Sequence, residues 1–271
     1  MVQAEVLGQT VPVDLWFLAL DHSDSDTDEF AQTLSDSEQA RAQRFVQPRD
    51  RSRFIVGRYA MRCVLSRALN LTPKQVSLGL GPHDKPVSKD NPSLAFNLSH
   101  SQGLGVLALV DHSATVQSME KGAGAPEAFE LGVDIEKAQA LSDPQVMFKH
   151  CLCERELAGV LALGEHEQRA VFFEIWVRKE ACLKALGVGF EIEPHRFDSG
   201  WCFGHSQPPT SCSEMVTVSG RPGVNVVQLS SLDSLVQALP LPGDPQGWHG
   251  AVAMVASTPG PRIRRFEFDG A

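Results

Sequence analysis

Two acidic side chains at the end of an apolar segment are the first candidates for chemistry. Residues 131–136 read Leu-Gly-Val-Asp-Ile-Glu, which predicts a strand that carries Asp134 and Glu136 near its C-terminal end. Because side chains alternate along a strand, both carboxylates point to one face, with Cα atoms about 6.5 Å apart. Two partly buried like charges repel, and a hard cation such as Mg²⁺ relieves that cost. A strand end that simply reaches solvent is the alternative.

A helical stretch downstream offers a third carboxylate and a cation. From His166 to Gly189, apolar residues recur at helical spacing, and two glycines close the pattern. Glu180 and Lys184 lie at the margin of this apolar stripe, one turn apart. Glu180 is therefore a candidate third ligand for the metal. The alternative is an ordinary salt bridge within the helix, worth about 0.2–0.5 kcal/mol, and taken alone it is the favoured interpretation.

A third segment, Phe-Asn-Leu-Ser-His-Ser over residues 96–101, suggests an anion-binding site. It predicts a strand, a tight turn with His100 at its centre, and a second strand over 104–110. The imidazole of His100 and the hydroxyls of Ser99 and Ser101 are expected to converge on an anion. A solvated turn histidine is the alternative.

These three segments, in this order, resemble the signature of the 4′-phosphopantetheinyl transferases in their larger, two-lobed, surfactin-synthetase-activating form. The helical segment contributes W-x-x-K-E-A-x-x-K-A-x-G-x-G over residues 176–189. Two upstream features agree: an arginine-rich helix over 45–69, and Asp84-Lys85-Pro86 where the family typically has Gly-Lys-Pro. The resemblance extends from about residue 13 to about residue 197.

The resemblance implies both a fold and an activity. The fold is α+β, with two similar α/β lobes related by a pseudo-twofold axis and an active site between them. Residues 1–112 would form the N-terminal lobe, 113–129 a flexible insertion or linker, and 130–271 the C-terminal lobe. The implied reaction transfers the 4′-phosphopantetheine arm of coenzyme A to a serine of an apo acyl or peptidyl carrier protein and releases adenosine 3′,5′-bisphosphate.

The resemblance also assigns roles to individual residues. Glu180 would act as ligand, base or both, and Lys184 would stabilise the departing phosphate. Three residues are expected to hold Mg²⁺: Asp134, Glu136 and Glu180. Eight are expected to bind coenzyme A: Arg41, Arg44 and Arg53 around its 3′-phosphate, together with Lys85, Ser99, His100, Lys179 and Lys184. Three further arginines are expected to be surface charges: Arg58, Arg62 and Arg67.

The charge distribution favours an anionic ligand. The net charge is −9, yet residues 41–67 contain eight arginines against one acid. Because arginine side chains bind phosphate groups through two parallel hydrogen bonds, a compact polyphosphate ligand is expected. The net negative charge of the chain disfavours a nucleic acid ligand. No apolar run approaches the roughly eighteen residues that span a bilayer, and no secretory leader is apparent. The six cysteines follow no disulfide or zinc framework, which favours reduced thiols in the cytoplasm, and a monomer is expected.

The pattern along the chain predicts the remaining elements. A strand is expected over 13–20, a loop over 21–29, a helix starting at the capping box of Ser35 and Glu38, and a long helix over 50–69. Strands are expected at 76–80 and 94–98. Helices are expected at 144–151 and 154–163, and strands at 216–218, 224–229, 250–257 and 264–268.

Two other functions use the same residues. A magnesium-dependent phosphodiesterase could be built on the three carboxylates, although the acidic surface disfavours a nucleic acid substrate. A non-catalytic relative that only binds carrier proteins is the second alternative, but such a protein would not need the carboxylates or lysines.

Overall fold

The chain folds into two lobes, each of which combines a four-stranded sheet with a 22-residue helix. The computed structural model describes residues 11–111, 130–203, 214–218, 221, 223–229, 232–239, 246–255 and 261–268. The predicted insertion over 113–129 lies outside these residues. The mixture of helices with mainly antiparallel sheets confirms the α+β class.

The first lobe is formed mainly by the N-terminal part of the chain. Its elements are β1 (Val11–Ala19), α1 (Asp24–Ala31), α2 (Asp36–Ala42), α3 (Pro48–Leu69), β2 (Leu78–Leu80), a 3-10 turn (Pro82–Asp84), β3 (Pro86–Ser88), β4 (Leu94–Ser101) and β5 (Leu104–Asp111). The main sheet has the order β10-β1-β5-β4, in which β10 spans Pro261–Glu267, and β2 pairs with β3 separately. Strand β10 comes from the other end of the chain.

The second lobe follows residue 130. Its elements are β6 (Leu131–Lys137), α4 (Pro144–Cys151), α5 (Glu154–Leu161), α6 (Glu165–Leu186), 3-10 turns at Gly189–Glu191 and Pro194–Arg196, β7 (Glu214–Val216), β8 (Val224–Gln228), α7 (Leu232–Ala238) and β9 (Trp248–Val255). The sheet order is β6-β9-β8-β7. Strand β10 (Pro261–Glu267) then returns to the first lobe and pairs parallel to β1. The division of the chain into lobes at 112 and 130 stays a prediction, and β10 is a strand of the first sheet although it lies within 130–271.

Helix boundaries follow local sequence signals. The predicted capping box is present at α2, where the backbone N–H of Ser35 donates to Glu38 Oε2 at 2.9 Å. Helix α3 begins with Pro48, whose missing N–H costs nothing at a helix start, and it ends at Asn70 with φ of 53°. Helix α6 ends at Gly187, whose φ of 62° lies in the left-handed region that glycine adopts without strain.

The structure corrects two of the predicted elements. The expected loop over 21–29 contains α1, because Ser23 caps it by accepting from the N–H of Asp26, and acidic residues suit the positive end of a helix. The hairpin turn is formed by Gln102 and Gly103 and not by His100, because β4 continues to Ser101. His100 is therefore a strand residue.

Strand β6 packs closely on helix α6, and a glycine makes this possible. A Cβ atom at Gly132 would overlap the carbonyl oxygen of Ala181 and the amide nitrogen of Ala185. The two backbones can therefore approach each other only if residue 132 has no side chain. This packing brings the acidic end of β6 to the part of α6 that carries Glu180 and Lys184. None of the described helices has the length and apolar character needed to cross a bilayer.

Candidate active site

The two lobes meet where the edge strands β4 and β6 lie side by side. Asn97 Oδ1 accepts a hydrogen bond from the backbone N–H of Val133 at 2.9 Å. The hydroxyl of Ser99 accepts a hydrogen bond from the backbone N–H of Ile135 at 3.4 Å. The hydroxyl of Ser101 accepts one from the N–H of Lys137 at 3.1 Å. Alternate side chains of β4 thus replace the backbone partners that an edge strand lacks, and they fix the register of the two lobes.

The same two serines hold the two carboxylates of β6. Ser99 Oγ donates to Asp134 Oδ1 at 2.8 Å, and Ser101 Oγ donates to Glu136 Oε2 at 2.7 Å. Both carboxylates therefore face β4, as strand alternation predicts. The side chain of Asp134 is only 4% exposed, and burial raises the pKa of Glu136. This is a costly place for two negative charges without a cation.

Lys184 supplies a positive charge to this pair from helix α6. Its Nζ lies 2.6 Å from Asp134 Oδ1 and 3.1 Å from Ser99 Oγ, and the side chain remains 30% exposed. Within the described residues no ion pair joins Lys184 to Glu180. The alternative of a simple salt bridge within the helix is therefore wrong, because the lysine crosses to β6.

Glu180 completes a group of three carboxylates, and one of its oxygens has no partner. Burial, followed by the negative charge of Asp134, raises the pKa of Glu180 to about 7, although Lys184 opposes the shift. Glu180 Oε1 and Asp134 Oδ2 are both buried without a hydrogen-bond partner among the described residues. Buried carboxylate oxygens that lack donors are the ligands a hard divalent cation needs, so this donor set fits Mg²⁺.

Another group of possible ligand atoms is more compact but is already satisfied. Among the residues that the structure describes, Cys153, Glu156 and Asp198 form the one group of three or more whose ligand atoms lie within 4.8 Å of one another. The Glu156 carboxylate, however, is 2.6 Å from Lys179 Nζ and accepts backbone N–H bonds from Ser199 and Cys153. A carboxylate with these partners stabilises the fold and has little capacity left for a metal.

Three depressions lie close to these residues in the first lobe and at the seam. One of about 300 Å³ is bordered by Glu180, Lys184 and Lys85. A second of about 450 Å³ is bordered by Arg53 and His100. The third, of about 820 Å³, has walls that include Arg41, Arg44 and Arg58.

The comparisons with known proteins agree with this arrangement. The profile of the 4′-phosphopantetheinyl transferase superfamily matches residues 130–215, and that of the N-terminal region of 4′-phosphopantetheinyl transferases matches residues 21–112. The transferase HetI of Nostoc is 31% identical over 247 residues, which cover 88% of this chain and 92% of that protein. The chain belongs to the 4′-phosphopantetheinyl transferase family.

More distant family members match over shorter lengths. The transferase Sfp of Bacillus subtilis is 26% identical over 170 residues, which cover 63% of this chain and 67% of that protein. A mouse enzyme named L-aminoadipate-semialdehyde dehydrogenase-phosphopantetheinyl transferase is 26% identical over 177 residues, 61% of this chain and 52% of its own. The two profile matches fit the predicted two-lobed architecture, and neither alternative function finds support. Members of this family transfer the phosphopantetheine group of coenzyme A to carrier proteins, and this chain is such an enzyme.

Within this transferase, Lys179 does not reach the site to which the sequence assigned it. Its side chain is fully buried, and its Nζ donates to the carbonyl oxygens of Pro194 at 2.7 Å and Phe197 at 2.5 Å while it pairs with Glu156. An ammonium with three protein acceptors has no donor left for phosphate. The predicted coenzyme A contact of Lys179 is therefore corrected to a structural role.

Lys85 is likewise engaged by the protein. Its Nζ donates to the backbone carbonyls of Leu131 at 2.9 Å and Lys184 at 2.8 Å, and Glu130 lies 3.6 Å away. Burial lowers the pKa of Lys85. A lysine of the first lobe thus fixes the start of β6 and the end of α6. Lys85 also borders the depression of about 300 Å³, so its contact with coenzyme A stays a prediction.

The predicted convergence of His100 with its two neighbouring serines is wrong for Ser99, whereas His100 and Ser101 border one depression. Because the three residues alternate along β4, the hydroxyl of Ser99 points to β6 and the imidazole points to the other face. The Ser99 hydroxyl donates to Asp134 and accepts from both Ile135 N–H and Lys184 Nζ, so its hydrogen-bonding capacity is filled. Ser99 therefore positions the carboxylate and the lysine, and its contact with coenzyme A stays a prediction.

The environment of His100 is basic. Reduced contact with water lowers the pKa of its imidazole, and the positive charges of Lys184 and Arg53 lower it further. Asp21 holds the guanidinium of Arg53 with two hydrogen bonds of 2.6 and 2.9 Å, and these bonds lower the pKa of Asp21 to about 2. Arg53 is therefore oriented beside His100, away from the depression that Arg41 and Arg44 border.

Two positions were missed by the sequence reasoning. Asn97 bonds to β6 beside the site, and its signal was available: polar residues occur at every second position of 97–101 in an otherwise apolar strand. Arg62 was expected at the surface but is 2% exposed, and its guanidinium donates to Glu38 at 2.6 and 3.0 Å and to two backbone carbonyls. The sequence signal for the burial of Arg62 was its position on the buried side of α3, one turn after Arg58.

Proposed function

We propose that this transferase moves the 4′-phosphopantetheine arm of coenzyme A to a serine of apo acyl or peptidyl carrier proteins at the seam of β4, β6 and α6. The observation that supports the proposal is a pair of buried oxygens on Asp134 and Glu180 that lack a hydrogen-bond partner within the described part of the chain, with Lys184 beside Asp134. A pyrophosphate with a divalent cation satisfies both the orphaned oxygens and the lysine.

Asp134, Glu136 and Glu180 would hold the magnesium ion. When bound, the ion neutralises charge on the pyrophosphate and offsets the repulsion among the three carboxylates. Ser99 and Ser101 would keep two of those carboxylates in place through the hydrogen bonds they donate.

In the proposed reaction, Glu180 and Lys184 act on the carrier serine and on the pyrophosphate of coenzyme A. The carrier serine oxygen forms a bond to the phosphorus that bears the pantetheine arm, and the bond from that phosphorus to the bridging oxygen breaks. Adenosine 3′,5′-bisphosphate leaves with the electron pair of the broken bond. Glu180 accepts the proton of the serine, and Lys184, whose side chain is 30% exposed, stabilises charge on the departing phosphate.

The basic side chains of the first lobe would bind coenzyme A. Arg41 and Arg44, which border the depression of about 820 Å³, suit the adenosine end with its 3′-phosphate. Arg53 and His100 border the neighbouring depression and suit another phosphate of the same molecule. Phe45 lines both depressions, so a single extended ligand can occupy them together.

The setting of the reaction follows from the same features. One chain supplies both lobes of the site, so a monomer is sufficient for activity. Free thiols in the described regions include those of Cys63, Cys151, Cys153 and Cys182. Free thiols suit a reducing compartment, and we place the reaction in the cytoplasm.

The decisive experiment measures the mass of carrier proteins. Apo acyl and peptidyl carriers are incubated with the enzyme, coenzyme A and Mg²⁺, and intact-protein mass spectrometry records the gain of one phosphopantetheine group. Asp134→Asn and Glu180→Gln should abolish the gain, whereas Glu193→Gln, at an exposed residue paired with Arg196, should not. Carriers that keep their apo mass with the parent enzyme, or a Glu180→Gln enzyme with parental turnover, would contradict the proposal.

A further inference from the structure

The depression of about 820 Å³ in the first lobe has more positive than negative charge in its wall. Its basic side chains come from α2, from the segment between α2 and α3, from α3 and from the residue after β3, and two acidic side chains also line it. The charged lining residues are Arg41, Arg44, Arg58, Lys89, Glu38 and Asp84. Glu38 is already neutralised, because Arg62 donates two hydrogen bonds to its Oε2. The remaining charge attracts an anion.

Arg58 differs from the other arginines of α3 that point into the protein. Arg53 is held by Asp21, and Arg62 is held by Glu38. No carboxylate of the described residues lies within 4.0 Å of the Arg58 guanidinium. Within the described part of the chain, its guanidinium donates one hydrogen bond, to the sulfur of Met61 at 3.8 Å, which is a weak acceptor.

The position of Arg58 is unfavourable for a cation that lacks an anion. The side chain is half-buried, and its burial lowers the pKa of the guanidinium. Among the nearby charges, Glu38 raises this pKa, and Arg41 and Arg62 lower it. An anion placed in the depression would relieve both the desolvation and the repulsion.

An aromatic ring holds Arg58 and Arg41 at the same place. The Cζ atom of Arg58 lies 5.3 Å from the centroid of the Phe54 ring, and that of Arg41 lies 5.7 Å from the same centroid. Cation–π contact restricts both guanidinium groups without using their N–H donors. Two planar guanidinium groups, fixed at one ring, suit an anion that accepts several hydrogen bonds.

We propose that Arg58 and Arg41 form a paired guanidinium site for a terminal phosphate monoester, and that Arg58 is the main residue that distinguishes coenzyme A from dephospho-coenzyme A. This assignment rests on the proposed function, because it takes the phosphate to be the 3′-phosphate of coenzyme A. The sequence assigns the 3′-phosphate to Arg41, Arg44 and Arg53 and predicts that Arg58 is a surface charge. The present assignment gives Arg58 the main role in recognising that phosphate.

Kinetics with the two substrates test the assignment. Arg58→Met keeps the unbranched stem beside Met61 and removes the charge. It should raise KM for coenzyme A roughly tenfold to hundredfold, as expected for loss of a charged hydrogen bond, with little change in KM for dephospho-coenzyme A. Arg67→Met is the matched control, because Arg67 stacks on Trp16 from the same helix and does not line the depression. Equal losses on both substrates, or no loss on either, would overturn the assignment.

Direct binding separates this inference from the proposed function. Calorimetry compares adenosine 3′,5′-bisphosphate with adenosine 5′-monophosphate, and neither titration requires transfer. The parent protein should prefer the bisphosphate, and Arg58→Met should lose most of that preference. Arg58→Lys retains the charge without the planar fork, so an intermediate preference is expected even if the methionine variant fails to fold. A parent that transfers no phosphopantetheine refutes the proposed function, whereas an active parent whose Arg58 variants keep full preference refutes this inference alone.

Discussion

Replacing Glu180 by glutamine should stabilise the metal-free protein and abolish phosphopantetheine transfer. In the folded protein, burial and the nearby charge of Asp134 raise the pKa of Glu180 from 4.5 to about 7. The unfolded chain has the ordinary pKa, so above pH 7 folding must keep an ionised carboxylate where it is disfavoured. A residue that gives function and costs stability is typical of a binding site and unusual for a structural ion pair.

The magnitude follows from the pKa shift. A shift of about 2.5 pKa units corresponds to about 3 kcal/mol at pH 8, where Glu180 is ionised in both the folded and the unfolded state. The folded state binds the proton more tightly, so stability falls as the pH rises from about 4.5 to about 7 and then levels off. At pH 6 the cost is about 2 kcal/mol. Glu180→Gln removes this cost, so its advantage should be larger at pH 8 than at pH 6.

Thermal unfolding with and without Mg²⁺ is the assay. In EDTA at pH 8, Glu180→Gln should raise Tm by on the order of 5–10 °C, since about 1 kcal/mol shifts Tm by a few degrees in a protein of this size. Added Mg²⁺ should raise Tm of the parent and should have little effect on the variant, because a neutral amide grips the cation poorly.

Glu174→Gln is the matched control on the same helix. Burial raises the pKa of Glu174 to about 7 as well, so its replacement should give a similar rise of Tm in EDTA. Glu174 is not among the expected ligands, and this variant should keep the stabilisation by Mg²⁺. If Glu180→Gln lowers Tm in EDTA, or if both variants respond alike to Mg²⁺, the assignment of Glu180 as a metal ligand is refuted.

Three other substitutions test the neighbouring structure. Lys184→Ala should lower turnover in the carrier assay and lower the Mg²⁺ concentration for half-maximal activity, because Lys184 competes for Asp134 Oδ1; a higher Mg²⁺ requirement would contradict this. Lys179→Met leaves the buried carboxylate of Glu156 unpaired and should cost about 3–5 kcal/mol in urea unfolding, with unchanged KM for coenzyme A in the folded fraction. A selective rise in that KM would restore Lys179 to the ligand site. Gly132→Ala should lower Tm markedly, since the added Cβ overlaps the backbone of α6, and a parental Tm would show that β6 can move away.

Features set by local sequence could be predicted. The capping box of Ser35 and Glu38 and the long helix that ends near Gly187 depend on neighbouring residues and on hydrophobic periodicity. The shared face of Asp134 and Glu136 depends only on strand alternation. These signals act within one element, so a sequence displays them directly.

Features set by contacts between distant segments could not be predicted. Lys179 and Lys184 lie five residues apart on one helix, yet one is sealed against Glu156 and the other crosses to Asp134. Both lysines belong to the same sequence motif, so the sequence alone does not show which one faces the active site. The packing around α6 distinguishes them. The same limit applies to Ser99, whose hydroxyl is occupied by three partners from other segments.

The parallel pairing of β10 with β1 has a consequence for the order of events during synthesis. An ion pair between Asp14 and Arg264 joins residues 250 positions apart, and the whole register from Val11 to Phe17 depends on residues 261–267. Until these late residues leave the ribosome, β1 is an open edge with unpaired N–H and C=O groups, and such edges recruit other chains. A chain that stops after β9 would carry all three carboxylates and Lys184, yet its first sheet would remain a template for self-association. Pairing with β10 therefore closes an edge of the first sheet that would otherwise be open to association with other chains.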